Sequence, residues 1–156
     1  MCEHADLWDS IGRKYAKHKN GGKEWSTEKD LIKELLRLIA ETIKDRYSFK
    51  DVINIGGAGV IIKVKDINLE VFHALKFPRP IGGRESLMVN IMEREISRLV
   101  ETRHDNIISI YYKNQVELDN RMWPFYVMEY IEGAVDAAEY LCNTNRTYKD
   151  VISVLS

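Results

Sequence analysis

Three features in a fixed order carry the chemistry of this sequence: a glycine-rich turn, Asn54-Ile55-Gly56-Gly57-Ala58-Gly59, then a lysine in Ala74-Leu75-Lys76, then a glutamate, Glu95, on an amphipathic stretch. Glycines let backbone N–H groups approach phosphate oxygens without interference from a Cβ atom. A lysine supplies a positive charge, and a carboxylate can hold that charge in one place. The order describes a grip for a nucleotide phosphate. Each feature alone also has an ordinary explanation. The glycines can be a tight hairpin turn, the lysine can snorkel at a sheet edge, and Glu95 can lie solvated at the margin of its stripe beside Glu93 and Arg94.

The elements that must position these residues decide the kind of grip. Val60-Ile61-Ile62-Lys63-Val64 reads as a strand, so the glycines sit between two strands. A dinucleotide fold or a Walker-type loop requires a helix there to receive the phosphate, and both readings are weakened. Strand alternation puts Phe72, Ala74 and Lys76 on one face and Val71, His73, Leu75 and Phe77 on the other. Small Ala74 leaves room beside the lysine for a flat ligand. Met88, Ile91, Met92, Ile96 and Leu99 surround Glu95 at helical spacing. An unpaired carboxylate buried there costs on the order of several kcal/mol, so an opposing cation is expected, and Lys76 is the natural candidate.

The spacing predicts strands near 47–55, 60–66, 70–77, 107–113 and 125–130, with clusters such as Asp66-Ile67-Asn68 and Asp119-Asn120 between them. One long helix, about 84–103, interrupts the series. The first three strands have short connections and should pair antiparallel, giving an α+β plan: a curled five-stranded sheet with one helix on it. Residues 1–46 read as a helical extension. Leu7, Trp8, Ile11 and Tyr15 mark a short helix ending at Asn20-Gly21-Gly22, and Thr27 with Asp30 can cap a second whose stripe is Ile32, Leu35, Leu36, Ile39 and Ile43. That stripe either packs on the rest of the domain or offers a face for a partner or a homodimer. Beyond the last strand, Val135 to Leu141 reads as a short helix, and Thr147 with Asp150 can cap another carrying Tyr148, Val151, Ile152 and Leu155.

Composition narrows the classes further. With 23 basic and 24 acidic residues among 156, no basic field points to nucleic acid. Cys2 and Cys142 lack ligand-like spacing and suit a reducing compartment, and no apolar run reaches the roughly 20 residues of a membrane span. The sequence reads as that of a cytoplasmic protein with no membrane or nucleic-acid partner.

The ordered motifs resemble the amino-terminal, ATP-binding lobe of eukaryotic-type serine/threonine protein kinases, from about Tyr47 to Leu141. Against G-x-G-x-x-G-x-V the chain offers Asn54, Gly56, Gly59 and Ile61, and against V-A-I-K it offers His73-Ala74-Leu75-Lys76. Glu95 through Arg103-His104-Asp105-Asn106-Ile107-Ile108 looks like the family's helix and its turn into the fourth strand, with Asp105 where proline is common. Val127-Met128-Glu129-Tyr130-Ile131-Glu132-Gly133 looks like the fifth strand and hinge.

The resemblance implies ATP as ligand, with Asn54, Ile55, Gly56, Gly57, Ala58 and Gly59 over the phosphates and Lys76, held by Glu95, contacting them as the catalytic pair. It implies that Ile61 and Ala74 pack on adenine, that Met128 is the gatekeeper, that the backbone of Glu129 and Ile131 pairs with the adenine edge, and that Val135 or Asp136 approaches the ribose. Residues 47–131 would form the lobe, and 132–156 the hinge exit and first helices of a second lobe. The sequence contains no H-R-D-L-x-x-x-N, D-F-G or A-P-E, so the general base and both Mg2+ ligands are not expected within it. The expectation is an ATP-binding lobe, truncated before the catalytic loop and inactive by itself, whose complete enzyme uses Mg2+ to phosphorylate protein serine or threonine. The alternative is a non-catalytic, kinase-like interaction module.

Overall fold

The computed structural model describes residues 23–57 and 59–134, with side chains from Thr27 onward. The helix expected around Leu7–Tyr15 and those expected after Val135 lie outside the described residues. The chain forms helix α1 (Lys23–Ile43), strands β1 (Tyr47–Ile55), β2 (Gly59–Asp66) and β3 (Phe72–Pro78), helix α2 (Glu85–Glu101), and strands β4 (Ile110–Leu118) and β5 (Arg121–Glu129). The five strands make one sheet in the order β1-β2-β3-β5-β4, antiparallel throughout, as the α+β reading requires.

Turn chemistry explains where the strands end. Between β1 and β2 the Gly56 N–H donates to the Gly59 carbonyl at 2.9 Å. Between β2 and β3 the Asp66 carboxylate accepts the N–H groups of Asn68 and Leu69, each at 3.0 Å, and these bonds hold its pKa below the ordinary value. Between β4 and β5 only Asp119 and Asn120 intervene, both left-handed at φ 52° and 57°, the pattern of a tight primed hairpin turn. This turn corrects two expected strands. β4 runs to Leu118 rather than Lys113, and β5 starts at Arg121 rather than Phe125. Pro124 is tolerated inside β5 because β3 pairs with β5 only over Tyr126–Glu129, so no β3 residue lies opposite it.

Helix α1 also begins earlier than its expected cap. Thr27 and Asp30 lie within the helix, not at its start, because no glycine or proline opposes helix between Lys23 and Ile32 and the breaker is the Gly21-Gly22 pair upstream. Its stripe, Ile32, Leu35, Leu36, Ile39 and Ile43, is no more than 4% exposed and packs on the chain's own sheet. That face is therefore not available to a second copy or a partner. Burial of such side chains stabilises by about 2 kcal/mol each.

The sheet is curled. Its edge strands β1 and β4 would stand roughly 19 Å apart if four strand spacings were laid flat. Yet the Tyr47 and Tyr112 rings lie 6.3 Å apart, with the Arg46 guanidinium over both at 5.0 and 5.8 Å. Helix α1 touches both edge strands and fills the mouth of the curl. The opposite face carries a smaller apolar cluster, Ala74, Met92, Ile96, Tyr126 and Met128, under α2. The fold thus has two differently covered sheet faces, and the chemistry lies on the α2 side.

Candidate functional site

Strand alternation on β3 directs Lys76 to the α2 side, and helical spacing brings Glu95 to meet it. The Lys76 ammonium donates to Glu95 Oε1 at 2.7 Å and to Oε2 at 3.0 Å. The lysine side chain is 18% exposed and the glutamate 30%, so the pair is desolvated without being sealed. A third member joins it. Tyr126 lies opposite Lys76 in the β3–β5 register, and its hydroxyl donates to Glu95 Oε1 at 2.5 Å. Burial, the bond to Glu95 and the glutamate charge push the Tyr126 pKa far up, so the phenol remains a donor. Glu95 is thereby held from two sides.

The glycine turn meets Lys76 at Gly59. A Cβ built on Gly59 would lie 2.9 Å from Lys76 Cε and 3.0 Å from the Phe77 carbonyl oxygen, so a side chain there would push against the lysine stem and the Phe77 backbone. Gly57 is exposed, and a Cβ there would meet nothing within 4 Å. Gly56 is tied on the other side, where its carbonyl accepts Nη1 of Arg79 at 3.3 Å. Arg79 in turn forms an ion pair with Glu28 of α1. Asn54 is exposed at the end of β1, whereas the Ile55 side chain is buried in the α1-side core and can offer a ligand only its backbone.

Ile61, Ala74 and Met128 come together as the apolar floor of the α2 side. Ile61 lies opposite Lys76, Ala74 lies opposite Met128, and all three belong to one cluster. At the hinge the Glu129 N–H donates to the Ser109 carbonyl at 2.9 Å, and the Ile131 carbonyl accepts the Ala134 N–H at 3.2 Å. Ala58, Val135 and Asp136 lie outside the described residues. The Arg103-His104-Asp105 run is a turn, in which His104 Nδ1 accepts the Asn106 N–H at 3.1 Å. A cavity of about 710 Å³ between the end of α2 and β4, lined by Thr102, His104, Ser109 and Glu129 among others, lies behind the hinge and includes neither Lys76 nor the glycines.

Sequence reasoning missed Tyr126, Arg79 and Glu28. Tyr126 had a signal, since it shares its strand face with Met128, but its pairing depends on the β3–β5 register. Glu28 and Arg79 are 51 residues apart, and only the docking of α1 joins them.

No family model matches the chain. Relatives do. Serine/threonine-protein kinase PksC of Streptomyces coelicolor is 31% identical over 88 residues, which are 56% of this chain and 16% of the relative. Serine/threonine-protein kinase PknB of Mycobacterium leprae is 28% identical over 92 residues, 59% of this chain and 15% of the relative. PknB of Mycolicibacterium smegmatis is 26% identical over 91 residues, 58% and 15% of the two chains. The chain thus spans a small part of the length of the relatives it matches. The chain is similar over more than half of its length to serine/threonine protein kinases, and its five-stranded antiparallel sheet with one packed helix fits a kinase amino-terminal lobe.

Proposed function

We propose that this lobe binds ATP, with adenine on the floor of Ile61, Ala74 and Met128 and the phosphates between the glycine turn and Lys76. In a larger protein it would be the nucleotide-binding part of a serine/threonine kinase, a class supported by the names of its relatives. One observation carries the reading: the Lys76 ammonium is gripped by both Glu95 oxygens beneath a glycine that a Cβ would not fit, yet remains partly open. A glycine at that point lets the turn's backbone and the lysine face the same space, an arrangement that suits phosphate oxygens.

ATP, when bound, supplies the transferable phosphoryl group. Lys76 neutralises and orients the phosphates, Glu95 keeps the ammonium from swinging away, and Tyr126 fixes Glu95. The adenine edge would meet the backbone of Glu129 and Ile131, where the Glu129 N–H already donates to the Ser109 carbonyl and the Ile131 carbonyl accepts the Ala134 N–H. Among the described residues there is no group of three or more His, Cys, Asp or Glu that could hold a metal ion. The protein substrate, the Mg2+ ligands and the general base belong to the proposal for the larger protein.

Calorimetric titration with ATP tests this directly. The wild-type chain should bind, and Lys76→Met should weaken binding by about tenfold or more, as loss of a charge-assisted contact implies, with the circular dichroism spectrum retained. A folded chain that gives no heat at millimolar ATP would overturn the reading and favour a non-catalytic interaction module.

A further inference from the structure

The ion pair between Glu28 and Arg79 joins two parts of the molecule that the ATP reading leaves unrelated: the helix in the mouth of the curled sheet and the glycine turn. Arg79 follows the end of β3, and Glu28 lies in α1, with side chains only 15% and 10% exposed. The Arg79 Nε donates to Glu28 Oε1 and Nη2 approaches Oε2 at 3.4 Å, while Nη1 reaches the Gly56 carbonyl at 3.3 Å. A guanidinium can do this because its N–H groups form a rigid planar fork, one edge for the carboxylate and one prong left for a carbonyl.

The direction of that prong matters. A peptide bond is planar and trans, so the Gly56 carbonyl and the Gly57 N–H point in opposite directions. Arg79 draws the carbonyl toward the α1 side of the sheet, and Lys76 lies on the α2 side. The Gly57 N–H is therefore turned toward the side where Lys76 stands. Nothing would touch a Cβ at Gly57 within 4 Å, so side-chain packing does not fix the tip of the turn.

We propose that Arg79, braced by Glu28, is a positioning residue that locks the Gly56–Gly57 peptide plane with its N–H aimed at the ligand phosphates, and that the docking of α1 thereby sets phosphate affinity. The phosphate part rests on the ATP reading; the locking of the turn does not.

The test compares the wild-type 156-residue chain with Arg79→Lys, which keeps the charge but loses the fork, and with Glu28→Gln. Two quantities are read: amide hydrogen exchange of Gly56, whose N–H is bonded to the Gly59 carbonyl, and the dissociation constants of ATP and of adenosine, which lacks phosphates. In Arg79→Lys the Gly56 amide should exchange about tenfold faster while helix and sheet amides keep their rates. ATP should bind about fivefold more weakly with adenosine changed less than twofold, and Glu28→Gln should repeat the pattern more mildly. Equal losses for ATP and adenosine would make Arg79 a general structural residue and overturn the proposal. So would unchanged Gly56 exchange. If the wild type binds neither ligand, the ATP reading and the phosphate part fail together, and Gly56 exchange still decides whether Arg79 locks the turn.

Discussion

Helix α1 presents Ile32, Leu35, Leu36, Ile39 and Ile43 to one face of the sheet, none above 4% exposure, whereas α2 interrupts its buried Met88, Met92 and Ile96 with Glu95 on the other. The first face excludes water and asks only for apolar volume. The second holds a lysine, a glutamate and a tyrosine within hydrogen-bonding distance of one another, where particular groups must stand at particular places. Apart from the Glu28–Arg79 link to the glycine turn, one sheet therefore divides stability from ligand chemistry, and substitutions should divide accordingly.

The largest effect is expected on the α1 face. Leu35→Ala removes a fully buried side chain and should destabilise the chain by about 2–5 kcal/mol in urea unfolding. The ATP affinity of the folded fraction should stay within about twofold, because the substitution keeps Glu28 and Arg79 and the other site side chains belong to the opposite face. A loss below about 1 kcal/mol would mean that α1 is not part of the core in solution.

Gly59→Ala should come next and should act on both properties. The added methyl group must displace the Lys76 stem or the Phe77 backbone, at a cost of about 1–3 kcal/mol, and a displaced lysine should also weaken ATP. A variant with wild-type stability and affinity would show that the glycine turn stands farther from Lys76 than the structure has it.

The two faces also differ in how far the sequence reveals them. The α1 stripe and the Lys76–Glu95 pair were legible because helical spacing and strand alternation are local rules, and each side chain's direction follows from its own element. The start of α1 at Lys23 and the edges of β4 and β5 were not. The Asp119-Asn120 turn becomes a two-residue hairpin only when both residues adopt positive φ, and Pro124 argues against a strand until the short reach of β3 is known. Tyr126 and Arg79 escaped for a related reason. Their partners are set by inter-strand register and by helix docking, neither of which a single segment encodes.

Tyr126→Phe tests the polar face more gently. It removes one hydroxyl from Glu95 and leaves the ring in place, so it should cost about 1 kcal/mol. Glu95 keeps both bonds from Lys76, and ATP should weaken by about twofold to threefold. A loss as large as that of Lys76→Met would make the tyrosine an equal member of the site rather than a support for Glu95.

The smallest effect should come from pH, and it belongs to the α1 side. His73 points away from Lys76 on β3. Its ring stacks on Tyr111 at 4.5 Å and lies 6.0 Å from Tyr47, and its buried Nδ1 has no hydrogen-bond partner among the described residues. Burial lowers its pKa; the nearby Asp66 charge opposes this and Arg46 reinforces it. The folded chain therefore holds His73 neutral below 6.5, where the unfolded chain binds a proton, so stability present above that value falls as pH drops through the lowered folded pKa. Asp66 loses its contribution only at lower pH, because its own pKa is held below 3.8. The unfolding temperature should thus decline between about pH 7 and pH 5, within the range where histidine titrates, and His73→Phe should flatten that decline while keeping the stack on Tyr111. An unflattened slope in the variant would assign the proton uptake to another group and leave the water-free face insensitive to pH in this range.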